Sequence, residues 1–308
     1  MIMNRIQLKA FGKLNLGLDI TGKRPDGYHE LRMVMQTVKL YDTVMIEAVD
    51  GPVTGPDGIY LKVDKEGLPG DETNIVYRAI KLMKDKYGIR SNIYSELTKH
   101  IPMAAGMAGG SADAASALMC MNYLFKLGLS KEELCECGLK LGADVPFCIM
   151  RGTMLCEGIG EVMTPLRTPP YCHILIAKPG VGASTAAVYR EYDDLSDPYH
   201  PDIDALVKAL GENDLDAVAK ACGNTLEDVT AKHIPEIKTI EHIMYEGNAL
   251  LSMMTGSGPA VFGLFKDRED ARRVYKKLRR GGPEMGRVEV YLTEWQKQRV
   301  SGRLNGRK

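Results

Sequence analysis

A run of small residues, Pro102-Met-Ala-Ala-Gly-Met-Ala-Gly-Gly-Ser-Ala-Asp-Ala-Ala115, constrains this chain more than any other stretch. A proline opens it, and it leads straight into an apolar, helix-forming segment. Gly106, Gly109 and Gly110 have no Cβ, so the backbone can bend sharply and approach a ligand closely. The helix that follows starts with N–H groups that have no intrahelical partner. Its dipole adds partial positive charge at the same end. A phosphate is the ligand that such a terminus suits. Ser111 falls where a hydroxyl would meet a phosphate oxygen. Ala114 to Phe125 is apolar almost all round, which predicts a buried helix and a loop fixed against it.

Two familiar phosphate loops are excluded. No Gly-Lys-Ser/Thr closes the run, and no Gly-x-Gly-x-x-Gly lies within it. On residues alone, a phosphate cradle and a merely tight-packing loop both remain open.

The 308 residues make one large domain or two of medium size. Lys+Arg and Asp+Glu are both 40, so no global charge recommends nucleic acid or an anionic membrane as partner. The exception is Gln296 to Lys308, which carries Lys297, Arg299, Arg303, Arg307 and Lys308 without an acid. It reads as a solvated, disordered basic tail, with a weak nucleic-acid contact as the other reading. Seven cysteines, with no Cys-x-x-Cys, point to free thiols, a reducing compartment and so a cytoplasmic protein. The N-terminus lacks the apolar core of a signal peptide, and no run of about 18 apolar residues exists to span a membrane. The sequence leaves monomer and homodimer open.

Periodicity and turn signals predict strands over 4–10, 14–20, 31–38, 43–48 and 92–97, with a turn at Pro25-Asp-Gly27. Gly51 to Gly58 reads as a hairpin or loop. Helices are expected over 73–87, ending at Gly88; over 112–127, ending at Gly128; and over 131–141, with Ser130 and Glu133 as a capping box. Pro165, Pro169 and Pro170 mark a boundary between lobes 1–164 and 165–295. The second lobe should hold strands over 173–177, 250–254, 260–265 and 287–292, and helices over 184–192, 203–210, 215–221, 235–246 and 268–279. The fold class is α+β, in two lobes.

Two more motifs flank the loop: Gly12-Lys-Leu-Asn-Leu-Gly-Leu18 and Thr255-Gly-Ser-Gly-Pro-Ala-Val-Phe262. In order and spacing the three resemble the motifs of the GHMP kinases, the family of galactokinase, homoserine kinase and mevalonate kinase. Thr21-Gly-Lys-Arg-Pro-Asp-Gly-Tyr-His-Glu-Leu31 and Leu141-Gly-Ala-Asp-Val-Pro-Phe147 are similar to one branch of it, which phosphorylates a cytidine diphospho-sugar alcohol for isoprenoid synthesis. The resemblance implies a two-lobed fold, with a ribosomal-S5-like N-terminal lobe for ATP and a C-terminal α+β sandwich.

The resemblance also implies roles that the residues alone do not decide. Asp144 reads alone as a turn or cap carboxylate; the resemblance makes it the base that takes the proton of the attacking hydroxyl. Lys13 reads alone as a solvent-facing strand residue; the resemblance sets it beside Asp144, with Asn15 on the same strand face. Pro102, Met103, Ala104, Ala105, Gly106, Met107, Ala108, Gly109, Gly110 and Ser111 would hold the ATP phosphates, with Asn74 and Lys99 near adenine and ribose. Tyr28 would stack on cytosine, His29 would bond its edge, and Tyr189 would form the second wall. Gly256 and Ser257 would shape the loop facing substrate; alone they read equally as a tight turn between strands. Ala108 and Ala112 stand where relatives often carry glycine and serine. ATP is the expected donor, and magnesium is expected with it, with metal ligands unknown. The rivals are another GHMP kinase, which should lack Asp26-Gly-Tyr-His29, and a non-catalytic nucleotide- or RNA-binding protein, which would have no use for a Lys13/Asp144 pair.

Overall fold

The computed structural model describes residues 4–282 and 286–296. Strands β1 (Arg5–Lys23) and β2 (His29–Val49) form one long antiparallel hairpin that turns at Pro25-Asp-Gly27. Four shorter strands were expected here. The interruptions prove to be register shifts, between Phe11 and Lys13 and between Asn15 and Gly17, which bend β1 without ending it. Strand β2 is long enough to serve two neighbours: its Thr43–Val49 half pairs with β4 (Asn92–Thr98), and its Leu31–Gln36 half pairs with β5 (Thr153–Gly158). Strand β3 (Ile59–Val63) lies parallel to β4, and β6 (Val162–Pro165) lies antiparallel to β5.

Helices α1 (Ile75–Tyr87), α2 (Gly109–Leu124), α3 (Lys131–Leu139) and α4 (Val145–Met150) accompany this sheet. Gly88 ends α1 in the left-handed conformation, and the Ser130/Glu133 capping box opens α3, both as expected. The end of α2 needs correction. The helix stops at Leu124 and does not reach Gly128, because Lys126 turns left-handed and the Asn122 amide bonds both the N–H and the carbonyl of Leu129. As the composition of α2 required, Ala114–Leu118, Cys120, Met121 and Leu124 are buried, but Tyr123 within the same span is exposed.

A second, four-stranded sheet has the order β11-β7-β10-β9. Its strands are β7 (His173–Pro179), β9 (Leu251–Met254), β10 (Val261–Phe265) and β11 (Val288–Thr293). With it come α5 (Thr185–Tyr192), α6 (Ile203–Glu212), α7 (Leu215–Ala221), α8 (Glu227–His233), α9 (Glu236–Glu246) and α10 (Arg268–Arg280). The elements β3, β5, β6, α4 and α8 were not foreseen. They are short, and α4 hides behind Pro146, a residue that reads as a turn but sits in the first turn of the helix.

The two sheets share a core. Leu14, Leu16 and Val34 of the first pack in one cluster with Ile174, Ile176 and Phe262 of the second. On β7 the alternate residues Leu175 and Ala177 face the other cluster, as the strand's two-residue period requires. A two-residue strand, β8 (Gly223–Asn224), leaves the C-terminal half of the chain and pairs in parallel with Gly17 and Leu18 of β1. Trp295 is buried and bridges to Val38. Gln296, assigned from sequence to the basic tail, donates its N–H to the Thr37 carbonyl at 2.9 Å; the rest of that tail lies outside the described residues. All seven cysteines are free thiols. Among the described residues no helix is long and apolar enough to cross a membrane.

Candidate active site

The three motifs meet because glycine lets backbone touch backbone. Gly106 has φ +73, and a Cβ there would lie 2.1 Å from the Thr255 carbonyl oxygen. Gly256 has φ +59, and its Cβ would lie 2.8 Å from the Gly106 carbonyl oxygen. Strand β1 locks both loops: Lys13 donates its N–H to the Met107 carbonyl at 3.1 Å, and Asn15 donates its N–H to Thr255 Oγ1 at 2.9 Å. On the opposite face of β1, Leu14 and Leu16 are sunk in the core. That pins the strand and aims Lys13 and Asn15 at the loop.

Lys13 is buried, and its ammonium donates to Asn15 Oδ1 at 2.6 Å and to the Gly106 carbonyl at 2.9 Å. It lies 3.9 Å from Asp144 Oδ2. Asp144 stands at the N-cap position of α4, yet its side chain caps nothing. About a third of that side chain is exposed, so it is open to the cavity. The loop enters α2 with Ala108 at the N-cap, and Gly109, Gly110 and Ser111 form the first turn. No side-chain hydrogen bond engages the Ser111 hydroxyl among the described residues.

One cavity of about 1240 Å³ runs past all of these groups. All of Pro102 to Ser111 line it, as do Lys13, Asn15, Asp144, Tyr28, His29, Tyr189, Gly256 and Ser257. Its volume exceeds the roughly 300–1,000 Å³ usual for one drug-sized ligand. At one end, Asn74 and Lys99 stand with the apolar residues Leu68, Ile75 and Leu97. Both polar side chains there are already engaged. Asn74 caps α1 through Val76 N–H and donates to the Pro69 carbonyl. Lys99 is buried between Asp42 and Asp113, 2.7 Å from Asp113. Burial pushes the Asp113 carboxyl well above the usual carboxylate range, against the pull of Lys99.

At the other end the Tyr28 N–H is held by Asp26 Oδ1, and the ring is exposed to the cavity. The His29 ring lies 4.9 Å from that of Tyr189, and its Nε2 lies 2.7 Å from Asp193. Burial raises the pKa of the Tyr189 phenol. Ser257 Oγ meets Thr185 Oγ1 at 2.8 Å, which ties the third motif to the helix carrying Tyr189.

Residues 74–152 match the GHMP kinases N terminal domain, and residues 206–284 match the GHMP kinases C terminal domain. A protein of Lachnoclostridium phytofermentans called 4-diphosphocytidyl-2-C-methyl-D-erythritol kinase is 48% identical over 91% of this chain and 94% of its own. One of the same description from Lachnospira eligens is 48% identical over 95% of this chain and 99% of its own. This chain belongs to the 4-diphosphocytidyl-2-C-methyl-D-erythritol kinases, a branch of the GHMP kinases. A crystal structure of 4-(cytidine 5'-diphospho)-2C-methyl-D-erythritol kinase superposes with a TM-score of 0.77 at 30% identity, covering 94% of this chain and 100% of that one. A homoserine kinase structure from Cytophaga hutchinsonii reaches 0.75 at 19% identity, so the fold alone does not separate the branches.

Sequence reasoning missed several polar residues that line the cavity: Lys23, Asp113, Thr185, Arg190 and Asp193. Four of its lining residues from this region, Thr185, Ala186, Tyr189 and Arg190, fall on one face of α5, and that spacing was legible in the sequence. Nothing local marked Asp42, whose partner Lys99 lies 57 residues away.

Proposed function

We propose that this chain transfers the γ-phosphoryl group of ATP to the 2-hydroxyl of 4-diphosphocytidyl-2-C-methyl-D-erythritol. The observation that carries this reading is a single cavity with a glycine loop at a helix start, a Lys13–Asp144 pair and an aromatic end at Tyr28, His29 and Tyr189. Phosphoryl transfer asks a protein mainly for positioning and charge stabilisation. The helix N-terminus and the loop N–H groups supply both for the triphosphate. The acceptor oxygen bonds to the γ-phosphorus, the bond from that phosphorus to the β–γ bridging oxygen breaks, and ADP leaves. The hydroxyl proton passes to the Asp144 carboxylate. The Lys13 ammonium, 3.9 Å from that carboxylate, steadies charge on the transferred group. Tyr28 and Tyr189 flank the cytosine, and His29, oriented by Asp193, bonds its edge.

Magnesium accompanies ATP and would neutralise charge on the phosphate oxygens. Among the described residues no group of three or more His, Cys, Asp or Glu side chains could hold a metal. That fits a magnesium bound through one or two protein oxygens and the phosphates themselves. The Ser111 hydroxyl would supply one such oxygen. Seven free thiols favour the cytoplasm as the site of the reaction.

The test is ADP release against a panel of the cytidine diphospho-sugar alcohol, homoserine and mevalonate. Turnover is expected with the first alone; absence of turnover with it would sink the assignment. Asp144→Asn should retain ATP binding by calorimetry and lose turnover by on the order of 10²-fold or more. Near-normal turnover would remove Asp144 from the role of base.

A further inference from the structure

Among the described residues, one cation of the cavity has no ion-pair partner. Four lysines and arginines line it: Lys13, Lys23, Lys99 and Arg190. Lys13 faces Asp144, Lys23 pairs with Asp193 at 2.6 Å, and Lys99 sits between Asp42 and Asp113. Those pairs engage every carboxylate that lines the cavity, Asp113, Asp144 and Asp193. Arg190 alone has neither an ion pair nor a side-chain hydrogen bond among the described residues. Its place is not arbitrary. It follows Tyr189 on the cavity-facing side of α5, one turn beyond Thr185 and Ala186. It therefore leaves the helix beside the ring that packs on His29.

A ligand with a nucleoside at that end and a reacting hydroxyl near Asp144 must lay its diphosphate between them. A diphosphate diester carries two negative charges and a row of acceptor oxygens. An arginine fork meets such oxygens two at a time, and it stays charged at every working pH. We infer that Arg190 binds the diphosphate of the acceptor substrate and sets selectivity for a nucleoside diphosphate over an uncharged nucleoside. This rests on the reading of the acceptor given above.

The experiment compares binding of CDP and cytidine by calorimetry, with the ATP site filled by ADP. It is run on the full chain and on Arg190→Ala and Arg190→Lys. In the unsubstituted protein CDP should bind on the order of 10- to 100-fold more tightly than cytidine, as charged hydrogen bonds imply. Arg190→Ala should bring that ratio close to one, and Arg190→Lys should recover part of it. In steady-state assays Arg190→Ala should raise KM for the acceptor and leave KM for ATP unchanged. An unchanged CDP-to-cytidine ratio in Arg190→Ala overturns the inference, as does a ratio near one in the unsubstituted protein. The calorimetric ratios are independent of turnover, so failure of the kinase assay itself strikes the proposed reaction and not Arg190. The side chain is exposed and makes no hydrogen bond or ion pair among the described residues, so the melting temperature should not move and serves as the folding control.

Discussion

Gly106 and Ala108 both sit in the left-handed region, at φ +73 and +54, and only one of them is a glycine. At Gly106 the reason is contact: a Cβ would collide with the Thr255 carbonyl. Gly106→Ala should cost more than about 1 kcal/mol, and it should separate the loop from the third motif, lowering turnover as well. Ala108 pays for the same conformation in strain of roughly 1–2 kcal/mol. Ala108→Gly relieves that strain but frees the unfolded chain by up to about 1 kcal/mol, so the melting temperature should hold or rise. A clear drop would show that the alanine methyl does something else. Lys99 tells a different story. Lys99→Met strands Asp42 and Asp113 in the interior, and removing one partner of a buried pair costs about 3–5 kcal/mol. Adding Asp113→Asn should restore part of that stability in a denaturant titration, and no recovery would deny the coupling. At this scale the sequence was legible where chain neighbours stay together at a helix start, as Gly109 to Ser111 do. Lys13 and Asp144 needed a resemblance. The embrace of Lys99 could not be read at all, because neither carboxylate is its neighbour in the chain.

Elements were easiest to foresee where caps and period agreed. Helix α7 fell on the expected residues, and α9 and α10 within one residue at an end, because each has a clear start and an amphipathic face. The two long strands were read as four, since a bulge and a break look alike in a one-dimensional pattern. Between α8 and α9 lies a cluster that no pattern signals. Lys238 reaches Glu227 at 2.5 Å and Glu241 at 3.2 Å, while Glu227 accepts the N–H of Met254, next to the third motif. Burial first, and then the Glu227 carboxylate, pushes Glu241 from 4.5 up to about 8. The folded protein therefore keeps a proton that the unfolded chain gives up near 4.5. This contribution to stability is fully present below pH 4.5 and is lost as pH rises towards 8. Glu241→Gln should flatten the decline of melting temperature across that window. An equally steep decline in the variant would assign it to other groups.

The two lobes do not divide the core between them. Their sheets pack into one cluster, β8 extends the first sheet from within the second half, and Arg32 of β2 grips Asp204 of α6 through two hydrogen bonds of 2.9 and 2.6 Å. Unfolding should therefore appear as one cooperative event. The chain has a single tryptophan, Trp295, buried where the halves meet, so its fluorescence and the far-ultraviolet circular dichroism should share one midpoint. Two separated midpoints would mean that the lobes are independent. The two lobes were read from a mixed pattern of strands and helices divided at Pro165, Pro169 and Pro170, but the crossing strand was not, because two residues carry no periodicity. That crossing also governs how the protein is made. Strand β1 leaves the ribosome some two hundred residues before its parallel neighbour, and the partners of Thr37 and Val38 follow later still. Until those later segments are made, the nascent first sheet presents an open edge to everything around it.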